Sequence, residues 1–419
     1  MRNSLESQVS YYNMRFPAVF SKAKNAFLYT EDGKRYIDFF AAAGSLNYGH
    51  NNAYIKKRVI HYLEEDGILQ GLDMDTTAKI EFFEYFREHI LDKRGMEHKI
   101  ELCGPTGTNA VEAALRLARK VTGRTGIFSM AGSFHGMTAG SLSVSSIKKA
   151  PTDYQLTGAP VTFVPYSLPG VEGYDPLKFV AFLLEYQYSG TQAPAAFILE
   201  TIQAEGGVNE RSPEFLRGLE SLLRKHKVLL IIDDIQVGCY RTGAFFSFEE
   251  SGIQPDFVAL SKSISGFGLP MSILLMKPEH DIWEMGEHSG TFRGAQLSFI
   301  GAKAGLEFAE EENIPWKVTW NSEIIEGRLR QIANALGDKP EIRGKGMIWG
   351  IDLNPFHIPD LGVAVSEACF AGGLVIEVCG PGDNVLKLMP PLTIEEDALR
   401  EGLGILEKAV LSAVAERKE

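Results

Sequence analysis

The chain has 419 residues, 45% of them hydrophobic and 23% charged, the make-up of a globular protein with room for one large core and a smaller one. Lys and Arg number 42 against 54 Asp and Glu, and the net charge of -12 disfavours nonspecific attraction to nucleic acid or an anionic membrane. The opening MRNSLESQVSYYNMRF lacks the apolar stretch of a signal peptide and no later run reaches bilayer length, so a cytoplasmic protein is expected.

In chain order, the first signal is YTEDGKRYIDFF, where Asp32-Gly33 between β-prone segments predicts a hairpin. From about Lys99 to about Phe308 short apolar runs alternate with helical stretches, which predicts a parallel sheet covered by helices. The runs are Gly126 to Met130, Ala195 to Leu199, Val228 to Ile232 and Phe257 to Leu260; they are apolar at successive positions, as strands buried on both faces are. Between Lys99 and the first of them, Ala110, Ala113, Ala114, Leu117, Ala118 and Val121 recur at three- and four-residue spacing and predict an amphipathic helix. After Phe308 the pattern becomes helical from Trp316 to Ala335, then strand-like at Met347 to Leu353 and Leu374 to Val378. The expected division is a large α/β domain over 61–308 and a smaller α+β domain over 309–419, which residues 1–60 join. Cys103, Cys239, Cys369 and Cys379 have no CxxC spacing and are read as reduced packing residues, and no metal site is expected.

Ligands of open parallel sheets sit at the carboxyl ends of the strands, so the residues after each apolar run carry the interest. Phe257 to Leu260 leads into Ser261-Lys262-Ser263. Val228 to Ile232 ends in Asp233-Asp234-Ile235-Gln236, a carboxylate where core meets cleft. Gly126 to Met130 leads to Phe134-His135-Gly136, with an aromatic face for a flat ring. Thr106, Gly107, Thr108 and Asn109 precede the amphipathic helix, and a helix N-terminus binds anions through free N–H groups; Thr108 or Asn109 also suits the N-cap.

Taken together, TGTNAVE, Phe134 to Gly136, ETIQAEGG, DDIQVGCYRTG, the Lys262 segment, RGKGMIWGIDL and MPPLTIEED resemble the class III aminotransferases of the fold-type I pyridoxal-phosphate family, over nearly the whole chain. The resemblance implies an α/β fold with a large, mostly parallel seven-stranded α/β/α domain and a smaller α+β domain, and pyridoxal 5'-phosphate as cofactor. It implies that Lys262 binds the cofactor aldehyde, that Asp233 partners the pyridine nitrogen, and that Gln236 adjoins the phenolate oxygen. Thr106, Gly107 and Thr108 would hold the phosphate, Phe134 would stack on the ring with His135 beside it, and Thr291 of HSGTFRG would reach the phosphate of a partner subunit. That last role implies a homodimer with composite sites, and a pairing of such dimers into a tetramer is left open.

Within the class, FAAAGSLNYGHNN, LQGLDMDTTAKIEFFEYF and GTFRGAQ resemble the diaminobutyrate 2-oxoglutarate aminotransferases, including those of ectoine biosynthesis. These move the terminal amine of L-2,4-diaminobutyrate to 2-oxoglutarate. The chain departs from much of the class in two places: Lys387 stands in LKLMPPL where an arginine clamps an α-carboxylate, and Ala295-Gln296 follows GTFRG in place of Asn-Pro. Lysine cannot form arginine's planar two-pronged pair. Glu205 of QAEGG and Lys387 are expected to pair as a charge switch between half-reactions, and Tyr48 is a substrate-pocket candidate, although packing explains it as well. His50 has a loop-ordering reading, and Asp73 and Asp75 are open to a substrate-ammonium role or to plain solvation. The alternatives left open are an ω-aminotransferase for ornithine, 4-aminobutyrate or a diamine, an aminomutase or epimerase on the same fold, and a noncatalytic protein.

Overall fold

The structure is a computed structural model that describes residues 5–147, 159–168 and 170–417. Its centre is a seven-stranded sheet with the spatial order 99–104, 272–276, 257–260, 229–233, 196–199, 127–130, 161–164. The last five pair in parallel, while Ser272–Met276 runs antiparallel to both of its neighbours. Every residue of Ile127–Met130, Ala196–Leu199, Leu229–Asp233, Phe257–Leu260 and Ser272–Met276 is buried, because helices cover both faces of the sheet. On one face Gly107–Thr122 packs Ala114, Leu117 and Ala118 onto Ile198, Ile231 and Leu274. On the other, Phe86, Leu219 and Phe299 meet Phe197, Ile232 and Leu260.

The hairpin expected at Asp32-Gly33 joins Phe27–Thr30 to Arg35–Asp38. Its second strand pairs in parallel with Leu374–Val375, so the two ends of the chain share one sheet. A second small sheet contains Glu341–Lys345, Ile348–Asp352, Val385–Leu388 and Glu377–Cys379. A single core, including Ile37, Ile325, Leu329, Leu388 and Leu406, binds these sheets to Ile314–Ala335 and Glu396–Glu416. The run Leu374 to Val378, expected as one strand, is two short strands in different sheets with Ile376 between them. Among the described residues no helix is long and apolar enough to cross a membrane.

Candidate active site

A cleft of about 430 Å³ opens where the strands of the large sheet end, bordered by residues of the loops that follow 99–104, 127–130, 196–199, 229–233 and 257–260. That volume suits a small cofactor with part of a substrate. Lys262, Asp233, Gln236, Phe134, His135, Thr106, Gly107, Thr108 and Glu205 all border it.

Lys262 opens the turn Lys262–Ser265 with φ 52°, a left-handed conformation that a non-glycine residue adopts only under constraint. Burial pushes its amine down to about 8, partly opposed by the carboxylates of Glu205, Glu377 and Asp233. Asp233, 4% exposed, ends the strand Leu229–Asp233. Its Oδ2 lies 2.7 Å from His135 Nδ1, and its Oδ1 accepts the Ile235 N–H at 3.2 Å. The carboxylate partner assigns the His135 proton to Nδ1, while its buried Nε2 has no hydrogen-bond partner.

The helix Gly107–Thr122 points its N-terminus at the cleft. Thr106 is its N-cap residue, not Thr108 or Asn109, and Asn109 Oδ1 accepts the Thr106 N–H at 3.2 Å and the Thr106 hydroxyl at 2.9 Å. Thr108 Oγ1 is held between Thr138 Oγ1 at 2.7 Å and Ser141 Oγ at 2.8 Å. A Cβ on Gly107 would stand 2.7 Å from Ile235 Cδ1, so glycine lets the loop lie against the wall of the cleft without displacing the Ile235 side chain. Phe134 lies on the loop after Ile127–Met130, where its backbone N–H donates to Glu200 Oε1 at 2.9 Å. Glu200, 6% exposed and raised to about 7 by burial, is a site residue to which the sequence reading gave no role; its place right after Ala196–Leu199 is the signal that could have found it. Gln236 Nε2 donates to Ala43 O at 3.0 Å and approaches Glu205 Oε1 at 3.4 Å.

At one edge of the cleft Lys387 Nζ sits 2.7 Å from Glu205 Oε1, so the expected pair forms, and it is buried: Lys387 is 1% exposed. A second carboxylate, Glu377 Oε2, stands 3.1 Å from the same Nζ and was not foreseen. Burial works against the Lys387 charge, but Glu205 and Glu377 outweigh it and hold the ammonium protonated well above its ordinary range. The missed signal was the turn GPGDN, which folds Glu377–Cys379 back on Val385–Leu388 and sets Glu377 opposite Lys387.

Other candidates lie elsewhere. Tyr48 does not border the cleft; it is 2% exposed in the core that joins the small sheets, edge-on to Phe308, which favours its packing reading. His50 Nε2 binds Asp38 Oδ2 at 2.8 Å and orders its loop. Asp73 and Asp75 are exposed outside the cleft, Asp75 paired with Lys79 at 2.7 Å. Thr291 is exposed in the turn Thr291–Gly294 and does not border the cleft of its own chain. All four cysteines are free and buried, with thiols raised by burial and so unsuited to nucleophilic work.

Residues 9–410 match the family model described as aminotransferase class-III. The chain belongs to the class III aminotransferases. It is 48% identical over 420 residues to a diaminobutyrate--2-oxoglutarate transaminase of Wolinella succinogenes, covering 99% of this chain and 96% of the relative. A protein of the same name from Sporosarcina pasteurii is 47% identical, with 98% and 96% covered. In fold it matches the ornithine aminotransferase of Toxoplasma gondii at TM-score 0.83 and 24% identity, covering 99% and 94% of the two chains. An S-selective transaminase from Bacillus megaterium matches at TM-score 0.84 and 21% identity, covering 98% and 96%.

Class III aminotransferases use pyridoxal 5'-phosphate, so this chain is a pyridoxal-phosphate-dependent transaminase. The residues present fit the cofactor. A depressed lysine amine, a buried carboxylate backed by His135, an aromatic face and a helix N-terminus made close-fitting by Gly107 meet in one cleft.

Proposed function

We propose that the enzyme moves the terminal amino group of L-2,4-diaminobutyrate to 2-oxoglutarate, giving L-aspartate 4-semialdehyde and L-glutamate, as a cytoplasmic homodimer with composite sites. The observation that carries the choice of donor is near-half identity, over almost the full length, to several proteins named diaminobutyrate--2-oxoglutarate transaminase. The ectoine route is the pathway proposed for it. The proposed division is a large cofactor-binding domain over 61–308 and a small domain formed by 1–60 and 309–419, supported by the pairing of Arg35–Asp38 with Leu374–Val375.

Bound in the cleft, pyridoxal phosphate supplies an aldehyde that captures amines and a ring that withdraws electrons. In this reading Lys262 Nζ would hold the aldehyde, and the same amine, once free, would move the proton at the donor's terminal carbon. Its lowered pKa supports that work, because an amine near 8 is partly neutral at physiological pH. Asp233 would keep a proton at the ring nitrogen, its carboxylate oriented by His135. Thr106, Gly107, Thr108 and the helix N-terminus would hold the phosphate, and Thr291 of the partner subunit would join them across the proposed dimer. Phe134 would offer its aromatic face to the ring, and Gln236 would donate to the cofactor's oxygen substituent. Glu205 and Lys387 would form the switch: with Glu205 paired, the Lys387 charge is masked for the donor half-reaction, and displacement of Glu205 would leave it balanced by Glu377 alone, with a donor face open to a carboxylate of 2-oxoglutarate.

The test is glutamate formation from 2-oxoglutarate with L-2,4-diaminobutyrate, beside ornithine and 4-aminobutyrate. Turnover fastest with diaminobutyrate is expected. Turnover faster with ornithine or 4-aminobutyrate would overturn the choice of donor.

A further inference from the structure

Beside the Lys262 cleft lies a second cavity of about 810 Å³, and Glu205 and Phe134 border both. Its wall includes Glu377 and Tyr12. Glu377 is 5% exposed, Oε1 accepts the Tyr12 hydroxyl at 2.7 Å, and Oε2 has no hydrogen-bond partner. Among the described residues the cation in contact with it is Lys387, 3.1 Å away, and the aligned hydrogen bond of that ammonium goes to Glu205 at 2.7 Å. Tyr12 brings no charge, since burial and then Glu377 itself push its phenol above the usual range. A buried carboxylate that shares its counter-ion and keeps an oxygen without a hydrogen bond is costly unless a cationic donor completes it.

The transferred amine of the donor must reach Lys262, so the rest of the molecule extends toward whatever borders the cleft. An amino-acid donor with a terminal amine carries a second ammonium there, on its α-carbon. We propose that Glu377, steadied by Tyr12, is the specificity-determining residue that receives this α-ammonium, so that the enzyme selects donors bearing two amines over ω-amino acids bearing one. This deepens the diaminobutyrate reading and rests on it only for the length of the donor. Lys387 does not compete with the bound ammonium, because Glu205 and Glu377 flank it and the incoming charge is shared by two carboxylates.

The experiment measures kcat and KM for two donor pairs that differ in the α-ammonium alone, L-2,4-diaminobutyrate against 4-aminobutyrate and L-ornithine against 5-aminopentanoate, in the wild type and in Glu377→Gln. The wild type is expected to favour the diamino member of its better pair by about a hundredfold in kcat/KM, and Glu377→Gln to cut that preference about tenfold, chiefly through KM. Tyr12→Phe, which leaves the carboxylate in place, is expected to cut it by about threefold and supplies the answer if Glu377→Gln does not fold. A wild type indifferent to the α-ammonium, or variants that slow both members of a pair equally, would overturn the proposal. If ornithine outperforms diaminobutyrate, the donor reading fails while the ornithine pair still decides the role of Glu377.

Discussion

Asp233 and Asp234 are adjacent, both buried, and placed in different surroundings. Asp233 borders the cleft and meets His135, whereas Asp234 turns away and is bonded by the Ser247 hydroxyl and by the Ser247 N–H at 3.1 Å. Asp233→Ala is therefore expected to lower kcat at least about a hundredfold, because the lost interaction is strongest as charge develops, with a smaller change in cofactor affinity. Stopped-turnover rates beside cofactor titration check it, and a variant with most of its turnover would refute the assignment. Asp234 acts on stability. Burial raises its carboxyl from 3.8 to about 7, so its contribution is full below about pH 4 and is lost as pH rises through about 7. Asp234→Asn is expected to narrow the difference in denaturation midpoint between pH 5 and pH 8, and an unchanged difference would contradict this. The sequence presented the Asp-Asp pair and its strand end, and the chemistry assigned to the first of them follows from strand-end geometry. It could not present His135 Nδ1 against Asp233, a contact between residues 98 positions apart.

At the scale of elements, the segment after Arg35–Asp38 is the most strained feature beside the cleft. Ala41, Ala42 and Ala43 have φ of 47°, 49° and 55°, followed by Gly44 at 81°, and this left-handed run places Ala43 O to accept from Gln236. Each left-handed non-glycine residue costs about 1–2 kcal/mol. Ala43→Gly is expected to raise stability, the relief of strain exceeding the unfolded-state entropy glycine adds, by about 0.5–1 kcal/mol, read from the denaturant midpoint. A lowered midpoint would show that the alanine methyl contributes more by packing than it costs in backbone strain. Nothing in FAAAG announces this run, since three alanines ordinarily favour a right-handed helix. The sheet strands were legible for the opposite reason: Val228 to Ile232 and Phe257 to Leu260 are uniformly apolar because both faces are covered, and local pattern and tertiary burial agree. Leu374 to Val378 misled because its apolar pattern is continuous across Ile376, while the strand changes sheets there to bring Glu377 beside Lys387.

At the scale of the whole molecule, the proposed composite site calls for more than one chain. Lys262, Asp233 and the helix N-terminus converge from one large sheet, yet Thr291 lies outside their cleft and Phe292 beside it is 61% exposed. Single-chain geometry gives an exposed threonine in a short turn no function, and the resemblance to the class III aminotransferases was what singled it out. If a second copy brings Thr291 to the phosphate, Thr291→Ala removes a hydrogen bond to a charged group, worth about 1.5–3 kcal/mol, and weakens cofactor binding by about tenfold or more. Titration of the cofactor-free protein with pyridoxal phosphate, followed by its visible absorbance, measures this. The same titration across pH reads Lys262: capture requires the neutral amine, so its rate should rise through about pH 8 in wild type and in Thr291→Ala alike. An affinity untouched by Thr291→Ala would remove the composite site while leaving the single-chain cleft intact. A rate flat in pH with affinity lowered would instead remove the titrating amine and keep the dimer, so the two halves of the reading stand or fall separately.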